Sequence, residues 1–299
     1  MATPTSARRP DWLKIRLRTD GDFQRVRSMV GELRLNTVCT EARCPNIYEC
    51  WSAGTATFMI LGETCTRRCG FCSVHSGLPR PGVDRDEPAH VAEAVARLGL
   101  RHAVITSVDR DDLPDGGAGH FRDVLLAIHE RVPACAAEVL TPDFKNKPGA
   151  LETVLRGRPD VFAHNVETVP RLYRTVRPGS RYAGSLGLLE AASRVRDAER
   201  PELRVKSSLM LGIGETDDEV LDVMRDLRGA GVDVVTLGQY LQPTLEHLAV
   251  ERFVHPDAFA ALAAAGREMG FLHVESGPLV RSSYHAERHR PDPPPACER

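Results

Sequence analysis

Six of the eight cysteines fall between Cys39 and Cys72, in two groups of three. Cys39, Cys44 and Cys50 are spaced C-x4-C-x5-C; Cys65, Cys69 and Cys72 are spaced C-x3-C-x2-C. Thiols this dense mark a metal or redox site. Three readings are open. Disulfides would pair the thiols. Zinc takes four ligands, typically from two closely spaced pairs. A four-iron cluster has four corners, and three thiolates would leave one iron open to a further ligand. A triad suits the iron–sulfur reading better than the other two.

The rest of the chain bounds the setting. Its 299 residues can bury a sizeable core, and an α/β barrel can use that length as one domain. A net charge of −2 gives no bulk electrostatic pull toward nucleic acid. No apolar run approaches the roughly 18–20 residues that span a membrane. The first ten residues hold Arg8, Arg9 and no acid, a faint echo of a transit peptide, but no hydrophobic signal core. A cytoplasmic location is therefore expected, where a reducing environment disfavours disulfides.

Strand and helix signals alternate. Phe23, Val26, Met29, Val30 and Leu33 predict an amphipathic helix over about 21–34. Thr57-Phe58-Met59-Ile60-Leu61 reads as the first strong strand and runs straight into the second triad. Further strands are expected at 102–108, 136–140, 161–166, 203–211 and 232–237, with a short last one at 271–274. Helices are expected from Asp86 onward, around Phe121–Ile128, over 184–199 and 216–229, and from Phe259 to Met269. Such βα alternation implies a parallel sheet with right-handed crossovers. Six main strands suggest an α/β barrel, partial or complete, with its site at the strand C-terminal ends. The expected divisions are an N-terminal extension at 1–52, a barrel at 53–275, a C-terminal segment at 276–287, and a disordered Pro-rich tail at 288–299.

The second triad has Phe71 just before its last cysteine and sits on the loop after the first barrel strand. This resembles the radical S-adenosylmethionine (SAM) superfamily. The resemblance implies that Cys65, Cys69 and Cys72 hold a [4Fe–4S] cluster whose open iron chelates SAM. One electron would then release a 5′-deoxyadenosyl radical. The upstream triad, together with Arg281-Ser282-Ser283-Tyr284, is similar to the lipoyl synthase family. Segments such as Ile105-Thr106-Ser107-Val108-Asp109-Arg110 and His164-Asn165-Val166-Glu167-Thr168 extend that similarity over roughly residues 10–287.

That family implies a partial (βα)6-type radical SAM barrel, with both terminal extensions closing over its mouth. It implies an auxiliary [4Fe–4S] cluster held by Cys39, Cys44, Cys50 and Ser283. The implied reaction inserts sulfur at C6 and C8 of a protein-bound octanoyl-lysine. Two SAM are used, and the auxiliary cluster is consumed as sulfur donor. Implied partners are an octanoylated lipoyl carrier domain (a 2-oxoacid dehydrogenase E2 or the glycine cleavage H protein), an electron donor such as ferredoxin or flavodoxin, and an iron–sulfur carrier.

By position in the superfamily pattern, Thr106, Ser107 and Asp109 would meet the methionine end of SAM. Asn165 and Glu167, beside His164, would also contact SAM; plain strand-end hydrogen bonding is the alternative. Gly212-Ile213-Gly214-Glu215 lacks the residues of a phosphate or dinucleotide loop and matches the superfamily's adenosine loop in position; a helix-capping turn is the alternative. Lys206-Ser207-Ser208 departs from the family's Lys-Ser-Gly. Cys135 reads as a small buried hydrophobe. Over residues 171–206, nine bases face four acids, which makes either a solvated face or a dock for an acidic carrier domain.

Overall fold

Thr57, Phe58, Met59 and Ile60 are all buried, as a strand covered on both faces requires. In the computed structural model, described for residues 9–14, 21–33, 35–37, 44, 46, 47, 49 and 57–289, they form the second strand of a parallel array. The strands are β1 Asn36–Thr37, β2 Thr57–Ile60, β3 Thr64–Cys65, β4 His75–Ser76 and β5 His102–Ser107. They continue as β6 Ala136–Leu140, β7 Val161–Ala163, β8 Arg204–Leu211, β9 Val234–Gln239 and β10 His273–Gly277. The main sheet runs β1-β2-β5-β6-β7-β8-β9-β10. Every neighbouring pair from β2 to β10 is parallel, and β1 pairs antiparallel with β2.

Helices Glu87–Leu98, Ala118–Arg131, Tyr182–Glu199, Asp217–Gly229 and Pro256–Glu268 alternate with the strands. Each turns an apolar stripe to the sheet; Val91, Ala94, Val95 and Leu98 do so in the first. Thr216 starts Asp217–Gly229 with a capping box, its hydroxyl accepting from Glu219 N–H while Glu219 accepts from Thr216 N–H.

Two elements differ from expectation. The strand expected over 161–166 stops at Ala163, and Glu167, at φ 67°, forms an isolated bridge to Leu209. A short parallel pair, β3 with β4, braces the loop of the second triad; two-residue strands leave no periodicity to read. Of the disordered tail expected over 288–299, Arg288 instead closes the short turn Ala286–Arg288 and His289 is buried; residues beyond 289 lie outside the described residues.

Strands β2 and β10 are not neighbours, so the barrel is open there. The segment after β10 helps to span the opening. Thr57 Oγ1 donates to Ser283 Oγ at 3.1 Å, and Asn46 Nδ2 donates to Leu279 O at 2.7 Å. The segment passes so close to β9 that a Cβ on Gly238 would stand 2.0 Å from Val280 O. Gly238→Ala should therefore cost about 1–3 kcal/mol, seen as a lowered Tm. An unchanged Tm would mean that the chain does not cross β9 at this contact.

Candidate active site

A cavity of about 600 Å³ opens among the strand C-terminal ends. Cys72, Thr106, Ser107 and Asp109 line one side, and Asn165, Glu167 and Arg177 another. Arg281, Ser282 and Ser283 line it too, having come from the far end of the chain. Ser107 Oγ and Asn165 Oδ1 are buried without hydrogen-bond partners. Unmet polar atoms on a cavity wall suit a polar ligand. Glu167 holds its left-handed backbone here, a strain of the kind that gathers at functional sites. Burial raises its carboxyl pKa against the pull of Arg177.

Cys65, Cys69 and Cys72 lie close enough to feel one another's charge through the chain Cys65–Cys72–Cys69. Among the described residues Cys44, Cys65, Cys69, Cys72 and Cys135 are all free thiols. Backbone N–H groups of Arg67 and Asp109 donate to Cys65 Sγ at 3.4 and 3.3 Å. Burial pushes Cys69 up to about 12 and Cys72 up to about 11. Such thiols ionise when a bound cation replaces the lost water. Three clustered thiols with N–H donors around the sulfur fit a [4Fe–4S] cluster with one open corner.

Arg67, between Cys65 and Cys69, is 6% exposed. Its Nε and Nη2 grip Asp111 at 3.0 and 2.9 Å, and Nη2 also reaches Asp143 at 2.5 Å. Nε stands 3.2 Å from Asp109 Oδ1, and Nη1 donates to Ser180 Oγ at 3.0 Å. Burial alone would raise the Asp143 carboxyl, yet Arg67 holds it well below the usual range. The triad loop is thus bolted to the loops after β5 and β6. Sequence reading missed this bolt. Its signal was an arginine inside C-x3-C facing the acidic run Asp109, Asp111 and Asp112.

Arg177 is likewise buried, at 7% exposure, and Nη1 donates to Asn165 O at 2.7 Å. Most of the surrounding bases are engaged. Arg171 pairs with Glu219, Arg194 with Glu190, Arg196 with Asp197 and Asp233, and Arg200 with Glu202. Lys206 is fully buried and pairs with Glu138 at 2.8 Å. The pairs with Glu219, Asp233 and Glu138, acids outside this stretch, offset three of its five excess positive charges, which weakens the docking alternative. Ser208 turns its added hydroxyl to Thr236 O at 3.2 Å, so the departure from glycine is absorbed between β8 and β9.

Three expected residues stand apart from the cavity wall. Glu215 closes its own loop, accepting from Gly212 N–H at 2.6 Å and Ile213 N–H at 3.0 Å. Gly212 and Gly214 shape that loop at φ 98° and 116°. His164 does line the cavity, but both its ring nitrogens are engaged, by Thr141 O and Ser185 Oγ.

Of the first triad, Cys39 and Cys50 lie outside the described residues. Cys44 is described and sits within the electrostatic reach of Arg281. With the Asn46–Leu279 and Tyr284–Glu49 hydrogen bonds, the cysteine loop and the Arg281–Tyr284 segment lie together although some 230 residues separate them.

The radical SAM superfamily model matches residues 59–227, and the model for the N-terminal domain of lipoyl synthase of the radical SAM family matches residues 2–44. The lipoyl synthase of Thermus thermophilus is 55% identical over 286 residues, 95% of this chain and 87% of that protein. The chain belongs to the lipoyl synthase family. The lipoyl synthase of Rubrobacter xylanophilus is 54% identical over 284 residues, with the same shares covered.

Among solved structures, Streptococcus suis SuiB bound to precursor peptide SuiA matches with a TM-score of 0.56 at 13% identity, over 85% of this chain and 53% of that one. The FeFe-hydrogenase maturase HydG from Carboxydothermus hydrogenoformans matches at 0.55 and 18% identity, over 72% and 52%. These likenesses carry the fold, a partial barrel with an open side. The chain spans about half the length of each. As a lipoyl synthase, a radical SAM sulfur-inserting enzyme, the protein uses a [4Fe–4S] cluster and SAM and takes an octanoylated carrier protein as substrate. No helix among the described residues is long and apolar enough to cross a membrane.

Proposed function

We propose that this chain inserts two sulfur atoms, at C6 and C8 of an octanoyl group carried on a lysine of a lipoyl domain, using two SAM. Cys65, Cys69 and Cys72 would hold one [4Fe–4S] cluster; Cys39, Cys44, Cys50 and Ser283 would hold a second. When bound, the first cluster and SAM supply a hydrogen-abstracting radical, and the second supplies sulfide. The observation that carries the two-cluster reading is the meeting of Cys44 and Asn46 with the Leu279–Ser283 segment.

The chain's own residues have distinct tasks. Thr106, Ser107, Asp109, Asn165 and Glu167 would orient SAM, with the open Ser107 and Asn165 atoms as hydrogen-bonding groups. Arg177, whose positive charge reaches Cys69 and Glu167, would meet the SAM carboxylate. SuiB, a fold neighbour, has been crystallised with S-adenosylmethionine. Gly212, Gly214 and Glu215 back the adenosine side: Ile213 in their loop packs with Val176 and Tyr240. Val280, Ser282 and Ser283 cover the cavity and limit water beside a reactive radical. The carrier would be a 2-oxoacid dehydrogenase E2 domain or a glycine cleavage H protein, with ferredoxin or flavodoxin as electron donor and an iron–sulfur carrier rebuilding the second cluster, in the cytoplasm.

The test incubates anaerobically reconstituted protein with an octanoyl-lysyl peptide, SAM and a reductant. Mass spectrometry should find two added sulfurs per peptide and about eight irons per chain before turnover. Deoxyadenosine without sulfur addition would keep the radical chemistry and overturn the sulfur-insertion reading.

A further inference from the structure

Away from the six clustered cysteines, three side chains converge in a way the reaction does not use. His273 and Glu275 lie on β10, and His289 follows the short turn Ala286–Arg288. One ligand atom from each lies within 4.8 Å of the others. His273 Nε2 stands 3.3 Å from Glu275 Oε2, and the rings of His273 and His289 are 4.5 Å apart.

His289 is the telling member. It is 2% exposed, and neither of its ring nitrogens has a hydrogen-bond partner. A neutral imidazole carries one N–H and one lone pair, and burying both unmet is costly. Burial, helped by the positive charge of Lys206, pushes its pKa down to about 2. Glu275 brings a negative charge to the site, while Lys206 is tied to Glu138 at 2.8 Å and His285 stands at the edge, 3.4 Å from Glu275.

We propose that His273, Glu275 and His289 bind a divalent first-row transition ion, with Zn²⁺ as its type, and so pin the C-terminal segment to β10. Two imidazoles and a carboxylate are a common zinc donor set. A fourth position is left for water; His285, whose Nδ1 is 3.4 Å from Glu275 Oε1 and makes no hydrogen bond, stands beside the group. The ion would anchor the chain six residues beyond Ser283, fixing the part of the segment that crosses the cavity. His285 and His289 stand at H-x3-H spacing, the one sequence signal of the site.

The test uses the full chain with its iron–sulfur clusters reconstituted. It is titrated anaerobically with Zn²⁺ and desalted, and zinc and iron are counted by mass spectrometry. One zinc per chain is expected with iron unchanged. The zinc absorption edge should report nitrogen and oxygen ligands at about 2.0–2.2 Å and no sulfur near 2.3 Å. His289→Ala and Glu275→Gln should each weaken zinc binding about tenfold or more, with iron content as the check on folding. Sulfur in the zinc shell would place the ion at the cysteines and overturn the proposal. So would equal uptake by both variants, or no uptake by the native chain, a result that needs no variant to fold.

Discussion

Ser283→Ala is expected to separate the two halves of the reaction. The variant should still cleave SAM to 5′-deoxyadenosine, because Cys65, Cys69 and Cys72 are untouched. It should fail to add sulfur to the octanoyl peptide. Ser283 Oγ sits where the C-terminal segment meets the start of β2, held by Thr57 Oγ1 at 3.1 Å, and lines the same cavity as Cys72. Cys44 lies beside neighbouring Arg281. A hydroxyl so placed can close the fourth corner of a cluster held by the first triad, and alanine offers no donor. Ser282 lines the same cavity, so Ser282→Ala is the control and should keep both activities. The readouts are deoxyadenosine and sulfur-bearing peptide, measured together with iron per chain. Loss of sulfur addition in Ser282→Ala alone would reverse the assignment. Full sulfur addition in both variants would remove serine ligation altogether.

Arg67→Met should be the most destabilising single change near the cavity. Its guanidinium is the shared counter-charge for Asp109, Asp111 and Asp143. Removing one partner of a buried ion pair leaves uncompensated charge and costs about 3–5 kcal/mol. Lys145 stays beside Asp111 at 2.6 Å, but its side chain is half exposed and it does not replace the fork. A fall in Tm on the order of ten degrees follows from that cost. The iron of the Cys65–Cys72 site should drop with it, since the Arg67 side chain fixes the loop whose backbone N–H at residue 67 donates to Cys65 Sγ. Arg67→Lys should restore only part of both, because an ammonium cannot make the two-pronged contact with Asp111. Native Tm and iron content in Arg67→Met would show that the acidic loops hold the triad without it.

Both predictions rest on residues that local pattern reading treats unequally. Thr57–Ile60 declared itself as a strand because four consecutive apolar or β-branched residues can be buried only in an extended, doubly covered chain. The run at 217–229 declared itself a helix because Val220, Val223, Met224 and Leu227 share one face. Lys206 and Glu138 gave no such signal. Each is a charge in the middle of a strand, and its place in the interior depends on a partner 68 residues away. The histidines fared little better: His285 and His289 share an H-x3-H spacing, yet His289 looks like part of a polar tail until β10 brings His273 beside it.

The sequence by itself determined the parallel βα order, the two cysteine triads with their different spacings, and the Arg-Ser-Ser-Tyr segment. These are local patterns, set by periodicities of two and 3.6 residues and by ligand spacing. Tertiary structure alone decided what meets what. It left β2 and β10 unpaired and drew the segment after β10 across that gap, against Gly238. It set Ser283 beside Thr57, closed three aspartates on Arg67, and buried His289 with no partner. The physical reason is that burial and charge pairing are properties of contacts between distant segments. The energy of a buried polar group depends on which partner the fold delivers, and no stretch of chain carries that information alone.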